Sequence, residues 1–274
     1  MTTELKIFDV RHGFCAALIS DDKLVLLDCG HDSKGFRPLG WLYSQGYRHI
    51  DALIVSNFDQ DHISDIKAIR DYFTVGRLAV NPTVNPEILR GIKVKGGPIS
   101  DQMEILINSM ANPSLNSINH VPHTMDNVSM EFYCVFYPYE TDTNNLSLVT
   151  FLQFGSSYII YPGDLEVGGW QKLLAVPDFA ERLRNVNVFI ASHHGRKNGY
   201  CEEVFQYCAP EVVIISDQER TFSTQEHDKY SRHTTGVNFG TLLAPDIRKV
   251  VTTRSDGHLT LSKVGEQTFI RRGL

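Results

Sequence analysis

Residues 50–63 read IDALIVSNFDQDHI, and the fold prediction starts from this stretch. Its first part, 50–56, is mostly apolar, which is typical of a β-strand that is buried on both faces. The apolar run leads directly into Asn57, Asp59, Asp61 and His62. Because loops at strand ends often carry site residues on a rigid scaffold, this arrangement predicts a functional site here.

Two further segments have the same layout. A strand predicted at 158–161 runs into Pro162-Gly163-Asp164, and a strand predicted at 186–191 runs into Ser192-His193-His194-Gly195. Each motif alone is also typical of an ordinary turn or a helix cap. Their joint occurrence favours a metal site, because carboxylate and imidazole donors suit zinc, manganese or iron.

Alternating strand and helix patterns surround these motifs and indicate an α/β (α+β) protein. Strands are predicted at 5–10, 16–20, 23–28, 77–81, 129–137, 147–154 and 211–216, and helices at 38–45, 64–73, 170–184 and 202–208. The stretches 249–253 and 258–262 are predicted to pair as a last hairpin. Residues 82–127 contain several prolines around a helical piece at 101–110, and they are predicted to form a lid or insertion within a single domain, 1–274.

Composition narrows the class of protein. The 274 residues carry a formal net charge of −6, whereas a protein that holds duplex DNA by electrostatics alone would be basic. Five cysteines without a Cys-x-x-Cys pair argue against a disulfide framework and a thiolate zinc site. No signal peptide and no membrane-spanning stretch is found in the sequence, so we expect a cytoplasmic protein without membrane contact. The oligomeric state stays open.

The motifs and their order resemble the metallo-β-lactamase superfamily, and more narrowly the ComEC/Rec2-type hydrolase domain and its stand-alone relatives. The resemblance covers most of the chain. It rests on six short segments, which are Leu26-Leu27-Asp28-Cys29-Gly30, Ser56 to Ile63, Asn145 to Val149, Tyr161 to Leu165, Ala191 to Gly195 and Thr252 to Gly257.

The resemblance implies a four-layer αββα sandwich with two metals in a cleft at its edge. One metal would be held by Asp61, His62, Asp164 and one of the two adjacent histidines, with His194 favoured as the ligand and His193 facing the substrate. Asp59, with Asp164 as a bridge, would hold the second. Asp28 would orient a ligand histidine, as the outer partners of metal ligands generally do.

One position departs from the family pattern. Asn57 stands where the first motif histidine is expected, and its neutral amide oxygen is a weaker zinc ligand than imidazole. His120 and His123 are candidates for a further ligand, although both also fit exposed loop histidines. The sequence therefore predicts a divalent metal centre with one or two Zn²⁺ or Mn²⁺ ions, in which Asn57 is a candidate ligand.

The function implied is metal-dependent hydrolysis by an activated water, of the phosphodiesterase or nuclease type. Asp61 and His193 are the expected catalytic residues. Four basic residues are expected to bind the phosphodiester or nucleic-acid substrate, namely Arg196, Lys197, Arg232 and His233. Arg90, Lys93 and Lys95 form a further basic cluster. Two alternatives stay open: a catalytically weak regulatory or binding subunit with a protein partner, and a hydrolase of small esters, thioesters or lactones.

Overall fold

A computed structural model describes residues 3–31, 34–115, 125, 127–218, 225–240, 244–264 and 267–274. His120 and His123, the two candidates for a further metal ligand, lie outside the described residues. The irregular stretch predicted at 82–127 is therefore described in part, up to residue 115 and at residues 125 and 127.

The first sheet contains most of the N-terminal strands and the C-terminal pair. Its order is β17-β16-β1-β2-β3-β5-β7 in the described part of the chain. Its strands are β1 (Thr3–Ile7), β2 (Ala16–Ser20), β3 (Lys23–Leu27), β5 (Ala52–Ile54), β7 (Leu78–Ala79), β16 (Leu259–Val264) and β17 (Gln267–Arg272). Strands β3, β5 and β7 are parallel, so their carboxyl ends meet at one edge of the sheet.

The second sheet is built from the middle of the chain, in the order β15-β12-β11-β10-β9-β8. Its strands are β8 (Val128–Tyr133), β9 (Val149–Phe154), β10 (Ser157–Tyr161), β11 (Val188–Ile190), β12 (Val212–Ile215) and β15 (Val250–Thr252). The four strands β10, β11, β12 and β15 run parallel. Two short pairs complete the strands, β4 (His49–Ile50) with β6 (Thr74–Val75) and β13 (Val237–Asn238) with β14 (Ile247–Arg248).

Helices cover the outer face of each sheet. The first sheet is covered by α1 (Pro38–Ser44), α2 (Gln60–Ile63), α3 (Ile66–Tyr72), α4 (Pro86–Lys93) and α5 (Asp101–Met110). The second is covered by α6 (Val167–Leu174), α7 (Pro177–Leu183) and α8 (His227–Arg232), and α9 (Thr253–Asp256) is a single turn after β15. Short 3-10 turns lie at Val94–Gly96, Ser192–Gly195 and Glu202–Gln206.

Alternating strand residues divide the core into three apolar layers. In β3, Leu24 and Leu26 face the helices of the first sheet, whereas Val25 and Leu27 face the second sheet. In β11, Val188 and Ile190 face the first sheet, while Phe189 packs under α6 and α7. Successive side chains of a strand point to opposite faces of its sheet, and both sets are buried here. Each sheet is therefore covered by apolar residues on both faces. The result is the four-layer αββα sandwich that the sequence predicted.

The predicted hairpin of 249–253 with 258–262 is wrong. Strand β15 pairs with β12 in the second sheet, whereas β16 pairs with β1 and β17 in the first. The chain changes sheet through α9, which Thr252 caps, and through Gly257 at φ 70°. Asp256 fixes this crossing by accepting hydrogen bonds from Arg248 and Arg272.

The helix predicted at 170–184 is two helices, because Pro177 begins a new one. Proline lacks an N–H and fixes φ, so it is tolerated at a helix start and not in its interior. Across the described residues, we find no helix with the length and apolar character needed to cross a bilayer.

Candidate metal centre

Carboxyl ends of parallel strands from both sheets meet at one edge of the sandwich. From the first sheet, β5 leads into α2, which carries Asp61 and His62. From the second sheet, β10 leads to Asp164 and β11 leads to His193 and His194. The site therefore lies where the strand ends of the two packed sheets meet.

Four side chains converge there, Asp61, His62, Asp164 and His194. Each offers one ligand atom, and these atoms lie within 4.8 Å of one another. The Nε2 atom of His62 is 3.0 Å from Oδ1 of Asp164, and Nε2 of His194 is 3.1 Å from Oδ2 of Asp61. A tetrahedral zinc with bonds of about 2.1 Å places its ligand atoms roughly 3.4 Å apart, so the spacing suits one ion.

His62 is held in the orientation that a metal ligand needs. Its Nδ1 lies 2.6 Å from Oδ2 of Asp28, a carboxylate that also accepts hydrogen bonds from Ser56 and Tyr161. This contact orients the ring so that Nε2 points towards Oδ1 of Asp164, 3.0 Å away. That Nε2 atom is buried, and it meets this carboxylate as an ion pair without making a hydrogen bond. A buried polar atom without a hydrogen bond is costly, and a metal ion would satisfy it.

His194 is oriented in the same way by a backbone carbonyl. Its Nδ1 is 3.0 Å from the carbonyl oxygen of Ser216, which follows β12, so its Nε2 faces Asp61. His193 lies beside the cluster instead, with Nδ1 at 3.3 Å from Glu166 and Nε2 at 3.9 Å from Asp164. The structure thus brings His194 into the four-residue group and leaves His193 on its flank.

The backbone at these histidines is strained. His193 and His194 have φ values of 49° and 55°, in the left-handed region that favours glycine. Such a conformation costs about 1–2 kcal/mol for a residue with a side chain. Hydrogen bonds hold it in place, from the N–H of His193 to Gly163 and from Gln225 to the carbonyl of His194. Strain of this kind is typical of functional sites.

The charges of the cluster balance one another. Burial raises the pKa of Asp164, but the nearby His62 and His194 outweigh it and lower the pKa to about 2. Burial likewise raises the pKa of Asp61, and the hydrogen bond to His194 and the charge of His62 bring it below its ordinary value. Burial lowers the pKa of His62, yet Asp164 and Asp28 raise it well above 6.5. Metal binding therefore has to displace a proton from imidazole.

His12 is a neighbour of the cluster that the sequence reasoning missed. Its Nε2 is 3.3 Å from Oδ2 of Asp61, and its ring lies 5.5 Å from that of His194. Its side chain is 40% exposed, so it stands at the open side of the site. The signal that could have revealed it is the same layout again, because β1 is followed closely by an Asp and a His in the segment Asp9 to Gly13.

Comparisons with known proteins agree with this architecture. No protein-family model matches the chain. A diphosphatase of the PhnP family superposes with a TM-score of 0.51 over 96% of this chain and 98% of its own, at 13% identity. The metallo-β-lactamase fold protein YhfI from Bacillus subtilis superposes with a TM-score of 0.50 over 99% of this chain and 100% of its own, at 12% identity. The chain has the metallo-β-lactamase fold.

A protein that is similar to the chain in sequence is ComE operon protein 3 of Bacillus subtilis strain 168. It is 26% identical to the chain over 195 residues, which are 69% of this chain. The match spans 23% of the length of that protein. The chain thus resembles a ComEC-type protein over one segment of the longer relative, in agreement with the resemblance inferred from the motifs.

Asn57 and Asp59 lie outside the four-residue group of this metallo-β-lactamase fold. The Nδ2 atom of Asn57 donates to Ser147, Asn144 and the carbonyl of Thr143, while its Oδ1 accepts from the N–H of Asp59 at 2.7 Å. Asp59 forms a very short hydrogen bond with the ammonium of Lys93. The second set of predicted ligands is therefore bonded to protein groups.

The four predicted substrate-binding residues differ in their surroundings. Arg196 follows His194 closely and forms an isolated bridge with Gln225, and Lys197 is exposed. Arg232 is exposed at the end of α8. His233 is instead packed on Phe205, at 4.3 Å between ring centroids, and bonded to the hydroxyl of Tyr200 at 2.9 Å.

Proposed function

We propose that the chain is a metal-dependent hydrolase of phosphate esters, of the phosphodiesterase or nuclease type. The observation that carries the proposal is the convergence of four ligand atoms, in which Asp28 orients the buried Nε2 of His62 towards Asp164. The mixed nitrogen and oxygen donor set suits Zn²⁺ or Mn²⁺. The similarity to a protein described as a diphosphatase, and to a ComEC-type relative, favours phosphate chemistry over other hydrolysis.

The position of each residue indicates the role that we propose for it. Asp61, His62, Asp164 and His194 would hold one divalent ion, and that ion would supply Lewis acidity and a more acidic water. Asp61 also faces the open side of the site beside His12, where its carboxylate can orient an attacking water. His193 flanks Asp164 and is paired with Glu166, a placement that suits a proton donor to the leaving group. Arg196 and Lys197 follow and would bind phosphate oxygens.

A second candidate is a regulatory or binding subunit that keeps the fold and has little activity. The bonded state of Asn57 and Asp59 favours it, because these two predicted ligands of the second metal already pair with protein groups. This candidate predicts a protein partner and no hydrolysis with any divalent metal. The intact outer contacts of His62 and His194 favour the hydrolase, since a site without catalysis has no need of them.

The test combines metal content with hydrolysis. Wild-type protein purified without chelator and reconstituted with Zn²⁺ or Mn²⁺ is expected to bind one ion per chain and to cleave bis-p-nitrophenyl phosphate. Asp164→Ala is expected to lose the ion and the activity, because one of the four proposed ligands is gone. Asp22→Ala, in the exposed β2–β3 turn, is the matched control. Full metal content in Asp164→Ala would refute the site, and metal without hydrolysis in wild type would favour the regulatory subunit.

A further inference from the structure

Lys93 occupies the neighbourhood in which the family pattern implies a second metal. It is the last residue of α4, and its ammonium contacts the carboxylate of Asp59. The Lys93 side chain is 19% exposed, which is low for a lysine. Asp59 precedes α2 directly, and α2 carries the metal-cluster residues Asp61 and His62. A positive charge is therefore paired with the residue that stands two positions before Asp61.

Helix α4 is anchored in a way that keeps Lys93 at this position. Asn85 caps its N-terminus by accepting from the N–H of Ile88, and Leu89 is fully buried in the core of the first sheet. The guanidinium of Arg90 donates two hydrogen bonds to the carboxylate of Glu104 in α5. The residues after α4 return to the site, since Ser100 contacts Gln60 of α2. The region that was predicted to form a lid thus places the Lys93 ammonium beside Asp59.

The residues at this second position do not fit a metal ion. The Oδ1 atom of Asn57 accepts the N–H of Asp59, and its Nδ2 group, which cannot ligate a cation, has three acceptors around it. The carboxylate of Asp59 is paired with Lys93 and also accepts from Thr143 at 3.5 Å. A divalent ion bound here would lie against an ammonium, and like charges at contact distance repel.

We infer that Lys93 replaces the second metal, so that the site consists of one divalent ion and one lysine ammonium that together bind a phosphate group. The inference rests on the proposed function in that the anion is taken to be the substrate phosphate. A lysine ammonium is a point charge with three donors on a flexible stem. It can exchange its bond to Asp59 for a bond to a phosphate oxygen. Arg196 and Lys197, on the His194 side, would bind the same anion from another direction.

The first experiment counts ions per chain after equilibration with excess Zn²⁺ or Mn²⁺ and removal of free metal. Wild type, Lys93→Met and Asn57→His are each expected to hold one ion. The double variant Asn57→His/Lys93→Met is expected to hold two, because it restores a histidine ligand and removes the competing charge. Two ions in wild type, or one ion in the double variant, would overturn the inference.

The second experiment titrates inorganic phosphate into the metal-loaded proteins by calorimetry. Loss of one charged hydrogen bond predicts about tenfold weaker phosphate binding in Lys93→Met. Lys93→Arg, which keeps the charge, is expected to bind phosphate nearly as well as wild type. Lys95→Met, on the exposed turn after α4, is the control and is expected to match wild type. Equal phosphate affinity in Lys93→Met and wild type would mean that Lys93 only ties α4 to α2.

The two proposals fail in distinguishable ways. If wild type holds one ion and binds phosphate through Lys93 but cleaves no phosphate ester, the hydrolase proposal fails and the role of Lys93 stands. If wild type cleaves the ester and Lys93→Met keeps its phosphate affinity, the role of Lys93 fails and the activity stands. Lys93→Arg separates a folding defect from a loss of charge, because it keeps the contact with Asp59.

Discussion

Asp28 is fully buried and connects the two sheets through its hydrogen bonds. It contacts His62 and Ser56 of the first half of the chain and Tyr161 at the end of β10 in the second sheet. Asp28 itself has φ 54°, another residue with a side chain in the left-handed region. Its carboxylate orients the ring of His62, so it would act on a bound metal without contacting it.

Asp28→Asn is therefore expected to weaken Zn²⁺ binding by about 10–100-fold while the fold persists, because loss of an outer partner of a ligand histidine has this size of effect. The measurement is competition with a chromophoric chelator at constant pH. Asp22→Asn, a change of the same kind in an exposed turn, should bind zinc like wild type. Unchanged affinity in Asp28→Asn would show that His62 does not ligate the ion.

Single residues of the site differ in how well a sequence predicts them. Asp61, His62 and Asp164 follow apolar strands directly, so the local pattern is sufficient to place them together. The choice between His193 and His194 is not local, because it depends on their φ angles and on the carbonyl of Ser216. Lys93 reaches Asp59 from the end of α4, a contact that no local pattern predicts.

The segments around the cluster are held together by backbone contacts at short range. The N–H of Cys29 donates to the carbonyl of His62, and the N–H of Phe14 donates to that of Asp61. Gly30 packs so closely that a Cβ there would lie 1.6 Å from the carbonyl oxygen of Asp61. Glycine is thus required at this position so that the loop after β3 can approach α2.

Gly30→Ala is expected to displace α2, to lower the free energy of unfolding by about 1–3 kcal/mol and to reduce metal content. Urea denaturation and elemental analysis measure the two effects. Gly91→Ala provides a matched control, because a Cβ at Gly91 in α4 would meet nothing within 4 Å. That control should leave metal content unchanged and add up to about 1 kcal/mol of stability through helix propensity. A Gly30→Ala protein with normal stability would contradict the close packing.

Strands and helices could be predicted from the sequence where the hydrophobic period and the length of a segment indicate the same type of element. The strands predicted at 16–20 and 23–28 agree with β2 and with β3, which ends one residue earlier at Leu27. The hairpin predicted within 249–262 was wrong because two neighbouring strands, whose sequences suit a hairpin, belong to different sheets. No local signal marks such a change of partner, which the salt bridges of Asp256 stabilise at long range.

At the scale of the whole molecule, the ligands tie the two sheets to each other. Asp61 and His62 follow the first sheet, and Asp164 and His194 follow the second. A metal ion bound by all four would therefore oppose separation of the sheets. The four-layer architecture was implied by the resemblance to the metallo-β-lactamase superfamily, whereas the mostly apolar run at 50–56 by itself predicted only a strand buried on both faces. Substrate preference was not predictable, since it depends on side chains that meet only after folding.

Metal binding is expected to raise the thermal denaturation midpoint in a concentration-dependent manner. An ion that binds only the folded state at a hundredfold excess over its Kd adds about 2.7 kcal/mol. Differential scanning calorimetry with increasing Zn²⁺ measures this shift, and Asp164→Ala should show none. A midpoint in wild type that is independent of both zinc and chelator would contradict the site.

The metal-free protein is expected to lose stability on acidification through Asp164. Its folded-state pKa of about 2 lies below the ordinary 3.8, so its contribution is complete above 3.8 and disappears as the pH falls towards 2. The difference in unfolding free energy between wild type and Asp164→Asn should therefore shrink over that window. Urea denaturation at a series of pH values measures it. A difference that stays constant down to pH 2 would show that Asp164 has no charged partner in the fold.

The distance along the chain between the ligands has a consequence for biosynthesis. Asp61 and His62 leave the ribosome long before His194, and the carbonyl that orients His194 belongs to Ser216, after β12. A nascent chain cannot assemble the complete ion site until β12 has emerged and paired. Binding of an ion at this site would therefore come late, after β12 has emerged. Until that point Asp28, in the same half of the chain, is the residue that pairs with His62.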